Sequence, residues 1–200
     1  MLYYENLDKI IFNRGQLISC DELVILSGYV GPSPIHELNN LDIKTTVIYG
    51  MYGSDGIRRS LHNALMKEQQ ESNKINILYS TMPVHSKCYV WKRNGEVQCA
   101  LIGSANFSNN GLKTPYREVL ADATSDTFRP LNTYLDMVLS GSIPCELAAP
   151  KDNPHNVPIQ ESEEEYVDAN VCVTNLYVVK NGIKCIPESS GLNWGQSATA

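Results

Sequence analysis

The strongest constraint on the fold is a pair of strand-like segments joined by a tight turn. Residues 84–92 and 97–102 are rich in apolar and aromatic side chains, and Asn94-Gly95 lies between them. Asn-Gly favours the two-residue turns whose central residues both take positive φ, and these turns join antiparallel strands. The sequence therefore predicts a β-hairpin, which fixes the residues of the two strands that face one another.

Strand-like and helix-like segments alternate around this hairpin. Further strands are predicted at residues 23–30, 44–49, 76–79 and 118–121. Helices are predicted at residues 57–71 and 128–139, and a shorter one at residues 35–39, with Ser33 as its cap and Pro34 at its first position. This β-α-β-α-β-β-β order predicts an α/β sandwich with a central mixed sheet.

The chain divides into two unequal parts. Prolines cluster at residues 144–158, an acidic stretch follows at 161–168, and a second hairpin is predicted from residues 171–179 and 183–186 around Asn181-Gly182. We therefore expect a main domain at residues 1–145. Residues 146–200 are expected to form a Pro-rich and acidic linker with a small β extension.

Composition excludes some classes of protein. The net charge is −6, and the first 150 residues carry 13 Lys and Arg against 15 Asp and Glu, so a stand-alone, tight nucleic-acid binder is not expected. No run of about 18 apolar residues and no secretory signal is present, which predicts a cytoplasmic protein away from the membrane. The six cysteines form no C-x2-C pair and are expected to be free thiols.

Four polar residues flank the predicted hairpin in two pairs with the same spacing. His85 and Lys87 lie two apart in a strand-like segment, so their side chains are expected to project from one face. Ser104 and Asn106 lie two apart just after the next strand. Each pair alone is typical of ordinary packed or turn residues. Because the hairpin joins the two strands, however, the two pairs are predicted to converge on one pocket.

The predicted pocket suits a phosphodiester. Lys87 and Asn106 can neutralise and hydrogen-bond the non-bridging oxygens, and Ser104 can add a further hydrogen bond. His85 can attack phosphorus if a carboxylate fixes its other ring nitrogen. Glu118, in the segment Arg117-Glu118-Val119-Leu120, is the expected orienting carboxylate.

These segments resemble the phospholipase D superfamily, whose motif is H-x-K followed by G-S-x-N after the next strand. The matching residues are His85-Ser86-Lys87 and Gly103-Ser104-Ala105-Asn106, with Glu118 at the position of the downstream acid. Within the superfamily the chain is most similar to the metal-independent restriction nucleases of the NgoFVII-like and BfiI-like kind. The fuller motif has Asp five residues after the lysine, where this chain has Lys92. That departure favours nucleases over lipid-cleaving members.

The resemblance implies a two-histidine mechanism, with one histidine as nucleophile and one as acid. His36, His62 and His155 have no lysine two residues later, so one chain supplies one half-site. A homodimer with a single active site on its two-fold axis is therefore expected. No cofactor or metal is expected, because the densest acids, at residues 161–165, lie in the predicted linker.

The function expected from the resemblance is DNA cleavage through a phosphohistidine, as the catalytic part of a restriction endonuclease. Target recognition is then expected from a domain outside this chain, with a helicase-like, ATP-dependent subunit as a further partner. Two alternatives stay open: a phospholipase or phosphatidyl transferase using the same site, and a catalytically silent dimerisation or DNA-binding module. The candidate DNA contacts are basic residues, namely Arg58, Arg59, Lys92, Arg93 and Lys113.

Overall fold

The fold is built on an eight-stranded mixed sheet. The computed structural model describes residues 1–17, 19–113, 118–151, 178–180 and 183–185. The strands are β1 (Leu2–Tyr3), β2 (Glu22–Ser27), β3 (Lys44–Tyr49), β4 (Ile75–Ser80), β5 (Lys87–Arg93), β6 (Glu96–Gly103), β7 (Leu120–Asp122) and β8 (Ser142–Pro144). Their order across the sheet is β1-β7-β6-β5-β2-β3-β4-β8. The β2–β3 and β3–β4 pairs are parallel, and the other pairs are antiparallel.

Helices cover both faces of this sheet. They are α1 (Leu7–Leu17), α2 (Pro32–Glu37), α3 (Tyr52–Asp55), α4 (Arg59–Gln70), α5 (Asn109–Lys113) and α6 (Phe128–Ser140). Short 3-10 helices lie at Leu38–Asn40, Ser125–Thr127 and Cys145–Leu147. Among the described residues, no helix is both long and apolar enough to cross a membrane.

Two separate apolar cores hold the layers together. On one face, Leu23 and Ile25 of β2 pack in the core that also contains residues of α1, α2, α4 and α5. On the other face, Val24 and Leu26 pack with Leu131, Leu135 and Val138 of α6. Because both faces of β2 are covered, its sequence is a continuous apolar run and does not alternate. This three-layer arrangement confirms the predicted α/β sandwich.

The predicted hairpin is present and pairs β5 with β6. Asn94 and Gly95 have φ values of 51° and 80°, as a turn with two left-handed central residues requires. The pairing places Lys87 opposite Gly103 and Cys88 opposite Ile102, with a register shift between Trp91 and Lys92. The Asn94-Gly95 turn therefore sets the register of β5 and β6. This register decides which residues meet at the other end of the hairpin, where Lys87 and Gly103 lie.

Several element boundaries differ from the sequence-based predictions. Gly31 is the N-cap of α2 and makes no side-chain cap bond, with Pro32 as the first helical residue, so the predicted Ser33 cap and Pro34 start are wrong. The strands β5 and β7 begin at Lys87 and Leu120, so His85 and Glu118 lie in the segments just before them. The elements β1, α1, α3 and β8 were not predicted, since most are too short to show a clear period.

The C-terminal part of the chain is a separate unit. In it, β9 (Val178–Lys180) pairs antiparallel with β10 (Ile183–Cys185), and this pairing agrees with the predicted second hairpin. The predicted linker at residues 152–177 lies outside the described residues. The described chain stays with the first unit as far as Lys151, whose backbone N–H donates to the carbonyl of Ile57 over 2.8 Å.

Gly95→Ala tests the turn that sets the hairpin register. An alanine at φ 80° carries a left-handed strain, so we expect the free energy of unfolding to fall by about 1 kcal/mol in urea denaturation. Gly141→Ala is the matched control, because the nearest atom to its added methyl group lies at 3.7 Å and its φ is negative. An equal effect of the two substitutions would contradict the turn assignment.

Candidate active site

The candidate residues lie along one edge of the sheet, where β2 and β3 end. Since β5 runs antiparallel to β2, and β6 antiparallel to β5, this edge is also where β5 begins and β6 ends. Three loop segments therefore meet there: the one after Ser27, the one before Lys87 and the one after Gly103. The predicted convergence of the two residue pairs follows from this topology.

His85 and Lys87 are in direct contact. The Lys87 Nζ atom lies 3.0 Å from Nδ1 and 3.1 Å from Nε2 of His85, and it donates a hydrogen bond to the His85 carbonyl over 2.8 Å. Lys87 is 5% exposed, whereas the His85 side chain is exposed. The cation is thus fixed inside the edge of the fold, and the imidazole is open to a substrate.

The surroundings of His85 favour its neutral form. Partial desolvation of the ring and the neighbouring Lys87 ammonium lower the pKa of His85, while the carboxylate of Asp55 acts in the opposite direction. A histidine whose pKa is lowered from its ordinary value is mostly neutral at pH 7, and only a neutral imidazole has a lone pair for attack. The site therefore presents an imidazole in the protonation state that a nucleophile would require.

Asn106 is held in place by the end of β2. Its Oδ1 atom accepts a hydrogen bond from the Tyr29 backbone N–H over 3.1 Å and lies 3.4 Å from Ser27 Oγ. The side chain is 5% exposed. The same Ser27 hydroxyl accepts from the Phe107 N–H over 2.9 Å, so β2 also fixes the backbone beside Asn106. With its oxygen bound in this way, the carboxamide offers its NH2 group to a ligand.

His85 and Asn106 border the same small space. A methyl group at Gly28 would lie 2.9 Å from Cδ2 of His85 and 3.5 Å from Oδ1 of Asn106. Glycine at this position therefore lets the two side chains approach each other across the end of β2. One member of each predicted pair, His85 and Asn106, therefore converges at the end of β2.

Ser104 and Glu118 form a second pair at the same edge. The Ser104 hydroxyl donates to the Glu118 carboxylate and accepts from the Val119 N–H over 3.1 Å. A methyl group at Gly103 would lie 2.0 Å from the Val119 carbonyl oxygen, so the close approach at Gly103 is to the start of β7. Within one chain, Glu118 is thus bound to Ser104 and not to His85, contrary to the expected orienting contact.

Two residues near His85 were not predicted from the sequence. The Tyr29 ring lies edge-on to the His85 ring with centroids 6.0 Å apart, and the Tyr29 hydroxyl donates to Asp55 over 2.6 Å. Asp55 ends α3, in a segment that the sequence showed only as a Gly-rich loop. Its approach to the site depends on tertiary packing, so no local pattern marks it.

The candidate DNA contacts fall in three different places. Arg58 is the N-cap of α4 and Arg59 is its first residue, three and four residues after Asp55. Lys92 and Arg93 lie five and six residues along β5 from Lys87, roughly 17–20 Å away at about 3.3 Å per residue, and Lys92 is only 5% exposed. The structure does not bring these two to the site.

Lys113, the remaining candidate, ends α5 and forms an ion pair with Glu37. This contact orders the side chain at the surface of α2 and α5. Arg58 and Arg59 are the candidates nearest in sequence to Asp55, which binds Tyr29 beside His85.

The cysteines and the potential metal ligands are the other reactive side chains of the described residues. Of the six cysteines, Cys20, Cys88, Cys99 and Cys145 are free thiols, as predicted, while Cys172 and the side chain of Cys185 lie outside the described part of the chain. Burial raises the pKa of Cys88 to about 11, so the thiol next to Lys87 in sequence does not compete as a nucleophile. Within the described residues, no three His, Cys, Asp or Glu side chains cluster as metal ligands would.

Comparison with known proteins gives a family and a fold. Residues 5–150 match the family described as the NgoFVII restriction endonuclease N-terminal phospholipase D domain. No curated protein matches the chain. The solved structure of NucT from Helicobacter pylori is similar at 16% identity, with 72% of this chain and 97% of that chain covered and a TM-score of 0.50. At 16% identity, this similarity shows that the two chains share a fold and nothing beyond the fold.

A second similar structure is Nuc from Salmonella typhimurium, described as a phospholipase D family member. It is 9% identical, with 72% of this chain and 95% of that chain covered and a TM-score of 0.48. Polyphosphate kinase from Porphyromonas gingivalis is 14% identical over 76% of this chain and 24% of that chain, with a TM-score of 0.44.

Gly28→Ala tests the close approach of His85 to the end of β2. The added methyl group would displace the imidazole from its position against Lys87, so we expect the pKa of His85 to rise towards its ordinary value. An NMR titration of the histidine ring signals, assigned with His85→Ala, measures this change.

Gly141→Ala is again the matched control, since its methyl group meets no atom within 3.7 Å. Because the nearest contact of a Gly28 methyl is an exposed side chain, thermal unfolding should change little. An unchanged His85 titration in folded Gly28→Ala would show that the ring does not occupy this position.

Proposed function

Since the chain belongs to the family of the NgoFVII restriction endonuclease N-terminal phospholipase D domain, we propose that it cleaves DNA through a phosphohistidine intermediate without a metal ion. The family identifies the chain as a phosphodiesterase of the restriction endonuclease type. The observation that carries the mechanism is the contact of His85 with Lys87 beside the fixed Asn106.

The proposed first step is attack of the neutral His85 imidazole on phosphorus. A nitrogen–phosphorus bond forms, the bond from phosphorus to one nucleoside oxygen breaks, and a protonated histidine gives its proton to that oxygen. In the second step the histidine that donated its proton, now neutral, takes a proton from a water molecule. The resulting hydroxide attacks phosphorus, the nitrogen–phosphorus bond breaks, and His85 is released as a neutral imidazole. The lowered pKa of His85 supports its role as the nucleophile.

Lys87 and Asn106 are proposed to hold the phosphate oxygens. Charge accumulates on the non-bridging oxygens as the new bond forms, and donors fixed before the reaction stabilise that charge. Lys87 is anchored by the His85 carbonyl, and Asn106 by the Tyr29 N–H and Ser27. This protein-derived cation supports the proposal that no divalent metal is needed. Ser104 is the further predicted hydrogen-bonding residue.

The second histidine is proposed to come from a second copy of the chain. One chain carries one H-x-K pair, so a two-fold dimer would place two His85 side chains in one centre. Because Glu118 contacts Ser104 and not His85 within one chain, its orienting role is proposed only across the two-fold axis. Around a two-fold axis, the carboxylate that orients each His85 would be Glu118 from the other copy.

Recognition of the DNA target is proposed to lie outside the catalytic domain. The first 150 residues are close to neutral, and Lys92 and Arg93 lie at the end of β5 that is far from the site. A separate recognition domain, and a helicase-like subunit that uses ATP, are the partners we propose. The family match to a restriction endonuclease domain makes a phospholipase or a silent scaffold the weaker alternative.

The first test is cleavage of supercoiled plasmid DNA in EDTA. We expect wild-type protein to nick or cut the plasmid, and His85→Ala to lose at least about 10³-fold in rate while folding normally, since it removes the bond-forming atom. Lys44→Ala is the control, because it removes the same charge from an exposed lysine at the start of β3, the end of that strand away from the site. Activity that disappears in EDTA, or that survives in His85→Ala, would contradict the proposed chemistry.

A mixing experiment tests the shared centre. Wild-type chains and His85→Ala chains are denatured together and refolded at several ratios. If each centre needs two intact histidines, activity should fall as the square of the wild-type fraction; independent sites would give a linear fall. Sedimentation of the mixture confirms the state of association. A linear dependence would rule out one active site per dimer.

A further inference from the structure

Beside His85 lies a tyrosine–aspartate pair that belongs to neither H-x-K nor G-S-x-N. Tyr29 follows the end of β2, and Asp55 ends α3. The Tyr29 hydroxyl donates to Asp55 Oδ2 over 2.6 Å, and the Ser54 hydroxyl donates to Asp55 Oδ1 over 2.7 Å. Both carboxylate oxygens are therefore held, although the side chain is exposed.

Tyr29 contacts two of the residues that are proposed to act directly on the phosphate. Its ring meets the His85 ring edge-on, with an interplanar angle of 79° and centroids 6.0 Å apart. Its backbone N–H holds the Asn106 carboxamide over 3.1 Å. The other side of the Tyr29 ring packs on Tyr49 at 6.1 Å, so the ring is supported from within the core.

Asp55 is linked to His85 through Tyr29, whose hydroxyl binds the carboxylate and whose ring contacts the imidazole. Its charge raises the pKa of His85, against the lowering by desolvation and by Lys87, and His85 in turn stabilises the carboxylate of Asp55. The hydrogen bonds from Tyr29 and Ser54, with smaller effects of His85 and Lys151, hold the pKa of Asp55 below its ordinary value. Within the same chain Glu118 is bound to Ser104, so Asp55 would act on His85 in addition to the Glu118 carboxylate proposed from the other copy.

We propose that Tyr29 and Asp55 are positioning residues for His85: Tyr29 holds the ring, and the tethered Asp55 stabilises the positive charge that the ring acquires. This inference rests on the proposed function, in which attack on phosphorus converts the neutral imidazole into a positively charged phosphoimidazolium. A carboxylate fixed nearby favours that charged state and the transition state leading to it. The hydroxyl of Tyr29 sets the distance at which this carboxylate acts.

The decisive variant is Asp55→Asn, which removes the charge and nearly preserves the shape. Loss of a negative charge near His85 disfavours the imidazolium, so the pKa of His85 should fall, and the acid limb of the pH–rate profile should move to lower pH. Asp126→Asn is the matched control, because Asp126 is an exposed aspartate beyond the end of β7 away from the site. It should leave both quantities unchanged.

Two variants of Tyr29 separate its tether from its ring. Tyr29→Phe keeps the ring but releases Asp55, so we expect a smaller fall in the pKa of His85. Tyr29→Leu removes the ring contact as well, and kcat should fall on the order of 10- to 100-fold with little change in KM, because the nucleophile is misplaced. If Tyr29→Leu fails to fold, the exposed Asp55→Asn still decides the inference.

The NMR titration of His85 needs no substrate, so the two proposals fail in different ways. If wild-type protein does not cleave DNA in EDTA, the proposed function fails while the titration still reports on Asp55. A pKa of His85 that is the same in Asp55→Asn as in wild type would overturn the inference. A fall in both Asp55→Asn and Asp126→Asn would overturn it equally, since the effect would then be one of net charge.

Discussion

The antiparallel register of β5 and β6 is the constraint on which the rest of the site depends. Lys87 opens β5 directly opposite Gly103, which closes β6, so His85 and the Ser104–Asn106 segment leave the sheet side by side. A slip of one residue would turn Lys87 to the other face of the sheet and place Cys88 at the site. The left-handed Asn94-Gly95 turn opposes such a slip from the opposite end of the hairpin.

Burial is divided among the site residues according to their roles. Lys87 and Asn106 are each 5% exposed and are fixed by backbone groups, so they present charge and hydrogen bonds without a large loss of side-chain entropy on binding. His85 is exposed and is held mainly by contacts to Lys87, Gly28 and Tyr29. This division suits a reaction in which the phosphate ligands stay still and the nucleophile must reach a large polymer.

Sequence reasoning predicted which side chains meet at the site better than it predicted their hydrogen-bond partners. The two-residue spacings and the Asn-Gly turn were enough to bring His85, Lys87 and Asn106 together, because strand period and turn type are local properties. The contact of Glu118 with Ser104 depends on how closely β7 approaches Gly103, which no local pattern encodes. Tyr29 and Asp55 meet only after β2 and α3 have packed, so neither carries a signal in the sequence.

The positions of the basic residues relative to the site could likewise not be predicted from local sequence patterns. Lys92 and Arg93 follow the motif closely in sequence, yet a strand carries them away from the site at about 3.3 Å per residue. Arg58 and Arg59 are distant from the motif in sequence, yet they follow within four residues of Asp55, which binds Tyr29 beside His85. Proximity to the motif along the chain is therefore a poor guide to which basic residues lie near the site.

Trapping of the reaction intermediate tests the central claim most directly. The protein is mixed with phosphate-labelled DNA in EDTA, quenched with denaturant during the first turnover and mapped by mass spectrometry at neutral to alkaline pH. The account predicts an acid-labile phosphoryl adduct on His85, at no more than one label for every two chains. Rapid cleavage with no adduct, an adduct on another residue, or one label on every chain would contradict it.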